Sequence, residues 1–277
     1  MNAKGGGMNA KEGGMNANAA KVRVARDGRG VVTLTLDAPD TRNALSAAMM
    51  DALRAAASDL AVSDARVVVL RGAGAMFCAG GDLNWMRAQA DASPAERRAE
   101  AHRLAGMLGA LDALPQAVVA AVQGGAFGGG VGLMCVADVA IAAGDARFGL
   151  TETRLGLIPA TIGPYVVARI GPAAARRHML SGARFGVDEA ERIGLVARGV
   201  PAGDLDAAVA AEVAELLRAA PGAVAAAKAM ARDLGGAPSA ETVERTVDRL
   251  VERWESAEAA EGIAAFFGKR KPGWTLE

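Results

Sequence analysis

The sequence predicts an α/β protein, on two observations. Short, strongly apolar runs at Val31–Leu36, Arg66–Leu70, Ala117–Val122 and Val139–Ala142 alternate with stretches of helical character. Beyond Pro172 the chain is almost wholly helical, with one further strand expected at Leu195–Val200.

The elements follow in order. Val31–Leu36 alternates branched and smaller residues, as a strand does, and Asp37-Ala38-Pro39-Asp40 breaks it. Ser46 is placed to cap a helix through about Leu60. Arg66–Leu70, bounded by Asp64 and Gly72, is short and continuously apolar, the mark of a buried strand. The loop Gly72–Gly81 follows, then a polar helix over about Pro94–Leu114. The pattern repeats with a strand at Ala117–Val122, a glycine loop, a helix from about Gly128 and a strand at Val139–Ala142. Helices are expected at Ala173–Leu180, Asp188–Ile193, Asp204–Ala219, Ala223–Leu234 and Ala240–Phe267. The chain thus divides into an N-terminal extension, residues 1–20, a core over 21–200 and a helical region over 201–277. The extension repeats Met-Asn-Ala at positions 1, 8 and 15, but its glycines deny it a coiled-coil seam. It is read as a flexible tail with no apolar signal segment.

Composition narrows the function classes. Hydrophobic residues make up 52% of the 277, enough for a large core, and aromatics only 4%, so aliphatic side chains must fill it. Thirty-one basic residues balance thirty-one acidic ones, which argues against general attraction to nucleic acid or an anionic membrane. Cys78 and Cys135 are too few for a disulfide framework and lie in no metal-ligand spacing, so a reducing, cytoplasmic setting without a metal is expected. The weakly charged stretch Ala113–Ala143 is too interrupted by glycine, Pro115, Gln123 and Asp138 for a spanning helix.

The chemistry points to two glycine-rich strand exits. In Gln123–Gly132 the glycines follow a strand and lead into a helix, so the backbone can approach a ligand and present unpaired N–H groups. Such donors suit an anion, whether a phosphate or a transient enolate oxygen. The glycine spacing matches neither a dinucleotide fingerprint nor a P-loop. Phe77-Cys78-Ala79-Gly80-Gly81-Asp82-Leu83 is a second exit of the same kind, and two such exits in one core can each lend one N–H to a single cleft. His102 and His178, the only histidines, have no partner at fixed spacing. The first is expected on a solvated helix face with Arg97, Arg98 and Arg103, the second at a helix end.

Taken together, Phe77-x-Ala79-Gly80-x-Asp82-Leu83, Gly124-x-Ala126-x-Gly128-Gly129-Gly130 and Phe148-Gly149-x-x-Glu152-x-x-x-Gly156-x-x-Pro159 resemble the enoyl-CoA hydratase/isomerase (crotonase) superfamily. The likeness runs from about Val22 to Trp274. It implies a spiral of ββα units with a C-terminal helical trimerisation region, a homotrimer or dimer of trimers, and an acyl-CoA thioester substrate. Coenzyme A is then part of the substrate, and no separate cofactor is implied. It assigns the oxyanion donors to the backbone N–H groups of Ala79 and Gly129 and an acid/base role to Glu152. Arg42, Ala44 and Leu45, the run Ala79, Gly80, Gly81, Asp82 and Leu83, and Gly128 and Gly129 resemble the family's CoA-side segments. Lys269, in the tail Phe266–Pro272, resembles a segment that closes over the CoA.

One departure matters. The family's hydratases usually carry a second glutamate, and here that position is Gly132. Three activities stay open: hydration of a 2-enoyl-CoA, isomerisation with a single glutamate, and acyl-CoA binding with little catalysis. The segment Leu150–Tyr165 is similar to bacterial methylglutaconyl-CoA hydratases and related branched-acid enzymes, which favours hydration.

Overall fold

The computed structural model describes residues 21–235 and 238–275; the expected N-terminal tail lies outside them. Its centre is a six-stranded sheet of β1 (Val22–Arg26), β2 (Val31–Leu36), β3 (Val67–Gly72), β4 (Ala117–Val122), β6 (Val139–Ala143) and β8 (Arg198–Val200), in that spatial order. Only β1 runs antiparallel to its neighbour. Two short strands, β5 (Gly125–Phe127) and β7 (Arg147–Gly149), pair in parallel elsewhere.

The continuous apolar strands are explained by burial on both faces. Val32, Leu34, Leu36, Val68, Leu70, Val118, Ala120, Val122, Ala140 and Ala142 face the main core. The residues between them, Val31, Val67, Val69, Val119, Ala121, Ile141 and Ala143, face α7 (Leu205–Leu216), through its Leu205, Val209 and Val213. The first helix beyond Pro201 therefore lies directly on the sheet.

A second layer carries the site. Parallel bridges join Leu45 to Gly81 and Cys78 to Ala126, β5 pairs with β7, and Phe148 bridges Phe185. Each turn of chain lays one strand in the large sheet and one extended segment in this second layer, which is the spiral of the crotonase architecture.

Ser46 caps α1 (Ala47–Ala61), accepting from Met49 N–H at 3.2 Å. Several expectations need correction. Strands β1, β5 and β7 and helix α2 (Leu83–Asp91) are not among the expected elements. The polar helix α3 (Pro94–Asp112) packs against α9 (Ala240–Trp254), which buries Arg97 of the face expected in solvent, while Arg98, His102 and Arg103 stay partly exposed. Arg97 is buried, donating to the Gln89 and Ala90 carbonyls at 2.9 Å each and pairing with Glu255, while Arg98 pairs with Asp248. The single helix expected over Ala240–Phe267 is two, because Ser256 accepts from Ala259 N–H and starts α10 (Ala257–Phe267). The strand expected from Leu195 begins only at Arg198. The remaining helices are α4 (Gly129–Cys135), α5 (Gly163–Ser181), α6 (Val187–Arg192) and α8 (Pro221–Gly235). No helix among the described residues is long and apolar enough to cross a membrane.

Candidate active site

The two glycine exits meet. A Cβ on Gly80, whose φ is +95°, would stand 2.8 Å from the Phe127 carbonyl oxygen, and one on Gly130 would stand 2.6 Å from that of Cys78. Only glycine allows the two loops this approach. Gly128, also at positive φ (+49°), lies against the Glu152 carboxylate, where a Cβ would be 2.9 Å from Oε1. Three segments distant in sequence thus converge on one place.

The hydrogen bonds decide which amides are free. Ala79 N–H donates to the Arg42 carbonyl at 3.0 Å, so the donor role assigned to Ala79 does not fit the structure. The next amide but one behaves differently. In the bridge to Leu45, Leu45 N–H donates to Gly80 O (2.7 Å) and Asp82 N–H donates to Leu45 O (3.2 Å). That pattern turns the Gly81 N–H away from Leu45, and it has no acceptor among the described residues. The positive φ of Gly80 is what reverses the alternation between Ala79 and Gly81. Gly129 N–H likewise has no acceptor among the described residues. The free pair is Gly81 and Gly129.

Glu152 opens a 3-10 turn, Glu152–Leu155, held from behind by the C-terminal helices. Arg253 donates to the Gly156 carbonyl at 3.0 and 2.7 Å, Gly262 of α10 packs on Leu155, and Gly156 packs on Glu258. Burial pushes the Glu152 carboxyl up to about 7. Its Oε2 is buried with no partner among the described residues. A carboxyl near neutrality, beside two free amides, can both take and return a proton.

Gly132 is walled off. A Cβ there would lie 2.6 Å from Ile162 Cγ2 and 3.1 Å from Ile162 Cβ, so the place of a side chain at 132 is filled by Ile162, which is itself buried.

The other candidates fall into two groups. Leu45 is at the site, its Cδ1 2.7 Å from where a Gly129 Cβ would be, and Ala44 is buried beside it. Arg42 is exposed at φ +55°. Asp82 is occupied in capping α2, accepting from Asn84 and Trp85 N–H at 2.9 and 3.0 Å, and Leu83 is exposed. Lys269 is exposed just past α10, the helix that backs the Glu152 turn. His178 is buried in a pair with Glu189 (3.1 Å) and stacks on Phe185 (4.1 Å), so more than a helix-end contact holds it. His102 pairs with Glu244 at 3.4 Å. Cys78 is fully buried, its thiol pushed up to about 12, which removes it as a nucleophile.

Some site residues gave no sequence signal. Trp85 and Met86 of α2 stand over Gly81, within 3.6 and 3.5 Å of a Cβ placed there, and Trp85 is fixed by its Nε1–H to Glu100 at 2.7 Å. Asn43 is buried and fastens the loop by donating to Ala73 O and Met76 O (2.8 and 2.7 Å) and accepting from Ala38 N–H (3.0 Å).

Residues 26–277 match the family model described as enoyl-CoA hydratase/isomerase. A probable enoyl-CoA hydratase of Rhodobacter capsulatus is 36% identical over 247 residues, covering 89% of this chain and 95% of that one. The crystal structure of an enoyl-CoA hydratase from Mycobacterium avium superposes with a TM-score of 0.83 at 35% identity, covering 92% and 99% of the two chains. Pseudomonas aeruginosa AtuE is 41% identical, with a TM-score of 0.75 over 92% and 100%.

Proposed function

Because the chain belongs to the enoyl-CoA hydratase/isomerase family, we propose that it adds water across the double bond of a 2-enoyl-CoA. The observation that carries the reading is one buried carboxyl beside two free backbone amides. The thioester oxygen lies between the Gly81 and Gly129 N–H groups, which act where negative charge develops. Ionised Glu152 takes a proton from water as the water oxygen bonds to the β-carbon. The π electrons move onto the thioester oxygen as an enolate. Glu152 then gives the proton to the α-carbon, so the carboxylate is regenerated and the atoms of water are all in the product. One carboxyl near neutrality serves both halves of this cycle.

A second reading is favoured by the filled position at Gly132: Glu152 moves a proton between α- and γ-carbons of a 3-enoyl-CoA through the same enolate. The likeness of Leu150–Tyr165 to methylglutaconyl-type enzymes supports hydration of a branched acyl group. Purified protein given crotonyl-CoA, 3-methylglutaconyl-CoA and a 3-enoyl-CoA separates these. Loss of conjugated-thioester absorbance with the first two supports hydration, and its growth with the third supports isomerisation. Binding of all three without turnover would refute both.

A further inference from the structure

Five buried side-chain polar atoms have no hydrogen-bond partner among the described residues: Gln116 Oε1, Gln123 Oε1, Glu152 Oε2, Thr161 Oγ1 and Arg232 Nε. Two of them, Glu152 Oε2 and Thr161 Oγ1, come from one stretch of chain against one helix. Glu152 lies against Gly128, the N-cap of α4, and Ile162, next to Thr161, lies against Gly132. Gly128 and Gly132 are one helical turn apart, about 5–6 Å. Thr161 is 5% exposed. The segment returns to α4 through fixed turns, with Leu157 N–H on Glu152 O (3.1 Å) and Gly163 N–H on Ala160 O (3.1 Å).

Buried polar groups ordinarily have partners, and an orphaned hydroxyl is costly. No described residue supplies a partner for either atom. A water molecule held in a protein needs two to four polar contacts. Two unpartnered buried oxygens, on a segment that packs along α4 from Gly128 to Gly132, supply the first two.

We infer that Thr161 Oγ is the second group that holds the attacking water, serving from the Ile162 segment where no side chain at Gly132 can. This rests on the hydratase reading. The hydroxyl accepts one hydrogen of the water while Glu152 accepts and removes the other. The water oxygen bonds to the β-carbon, and Thr161 ends the cycle unchanged.

Two variants test it, Thr161→Val and Thr161→Ser, with crotonyl-CoA as substrate and butyryl-CoA as a ligand that cannot react. Thr161→Val should lower the hydration kcat about 10- to 100-fold, the effect of one hydrogen bond to a reacting group. KM and butyryl-CoA affinity should stay within about twofold of wild type. The melting temperature should hold or rise, since an unpartnered hydroxyl is removed at nearly constant shape. Thr161→Ser should restore kcat to within about threefold of wild type. A Thr161→Val enzyme with wild-type kcat overturns the inference and leaves the hydratase reading standing. So does a drop in melting temperature with activity that serine fails to restore, which marks a packing role. Wild-type protein that hydrates no 2-enoyl-CoA overturns the hydratase reading and this inference with it.

Discussion

Replacing Glu152 by glutamine should remove activity and, above neutrality, change stability in the opposite direction. Burial raises its carboxyl from 4.5 to about 7. Below 4.5 the group is protonated in folded and unfolded chains alike and contributes nothing to the difference. As pH rises from 4.5 to about 7 the unfolded chain ionises first, so folding loses stability. Above 7 the full penalty is present, about 3 kcal/mol at about 1.4 kcal/mol per decade. Glutamine cannot ionise. The stability of wild type relative to Glu152→Gln should therefore fall by about 2.5 kcal/mol between pH 5 and pH 8, read by urea unfolding at both values. Comparing the change with pH cancels whatever the buried amide costs at every pH. The hydration rate of the variant should fall about a hundred- to ten-thousand-fold, the usual worth of a positioned acid or base. Parallel pH dependences for the two proteins would show that Glu152 is not held near neutrality by burial, and the argument from its environment would fail.

Other outcomes follow from the same contacts. Gly132→Ala should destabilise by about 1–3 kcal/mol through overpacking on Ile162, and Ile162→Ala should relieve part of that. Thermal unfolding of the single and double variants should show a coupling of about 0.5–3 kcal/mol, and strict additivity would contradict the packing described. Asn43→Ala should cost about 2–4 kcal/mol by urea unfolding, because it strands the Ala38 N–H and two carbonyls. Replacing Lys269 and Lys271 together by alanine should weaken CoA-ester binding, with the loss shrinking as salt is raised in a calorimetric titration. Unchanged affinity would remove the tail from CoA recognition.

Much of the fold was legible because it is written in local patterns. The apolar runs β2, β3, β4 and β6 are buried on both faces, and Ser46 sits where its hydroxyl meets the Met49 amide. Strand β1 was hidden because Val22-Arg23-Val24-Ala25-Arg26 exposes most of its residues at the sheet edge. The break between α9 and α10 did carry a signal, since Ser256 is a good N-cap residue. At the site, motif order brought the two glycine exits and Glu152 together. It could not say which amide was spent, because Ala79 and Gly81 differ only through the kink at Gly80 and a carbonyl 37 residues away, that of Arg42. The contact of Ile162 with Gly132 and the covering of Gly81 by Trp85 and Met86 are tertiary facts with no local signature.

Backbone donors cannot be deleted by mutation, so the claim that Gly81 and Gly129 polarise the thioester is best tested by vibrational spectroscopy. Crotonyl-CoA labelled at the thioester carbonyl carbon would be bound to the Glu152→Gln protein, and the spectrum taken before its slowed turnover consumes the ligand. Two hydrogen bonds to the carbonyl oxygen predict a marked shift of its stretching band to lower frequency than in water. A band at the solution frequency, with the ligand bound, would contradict the account.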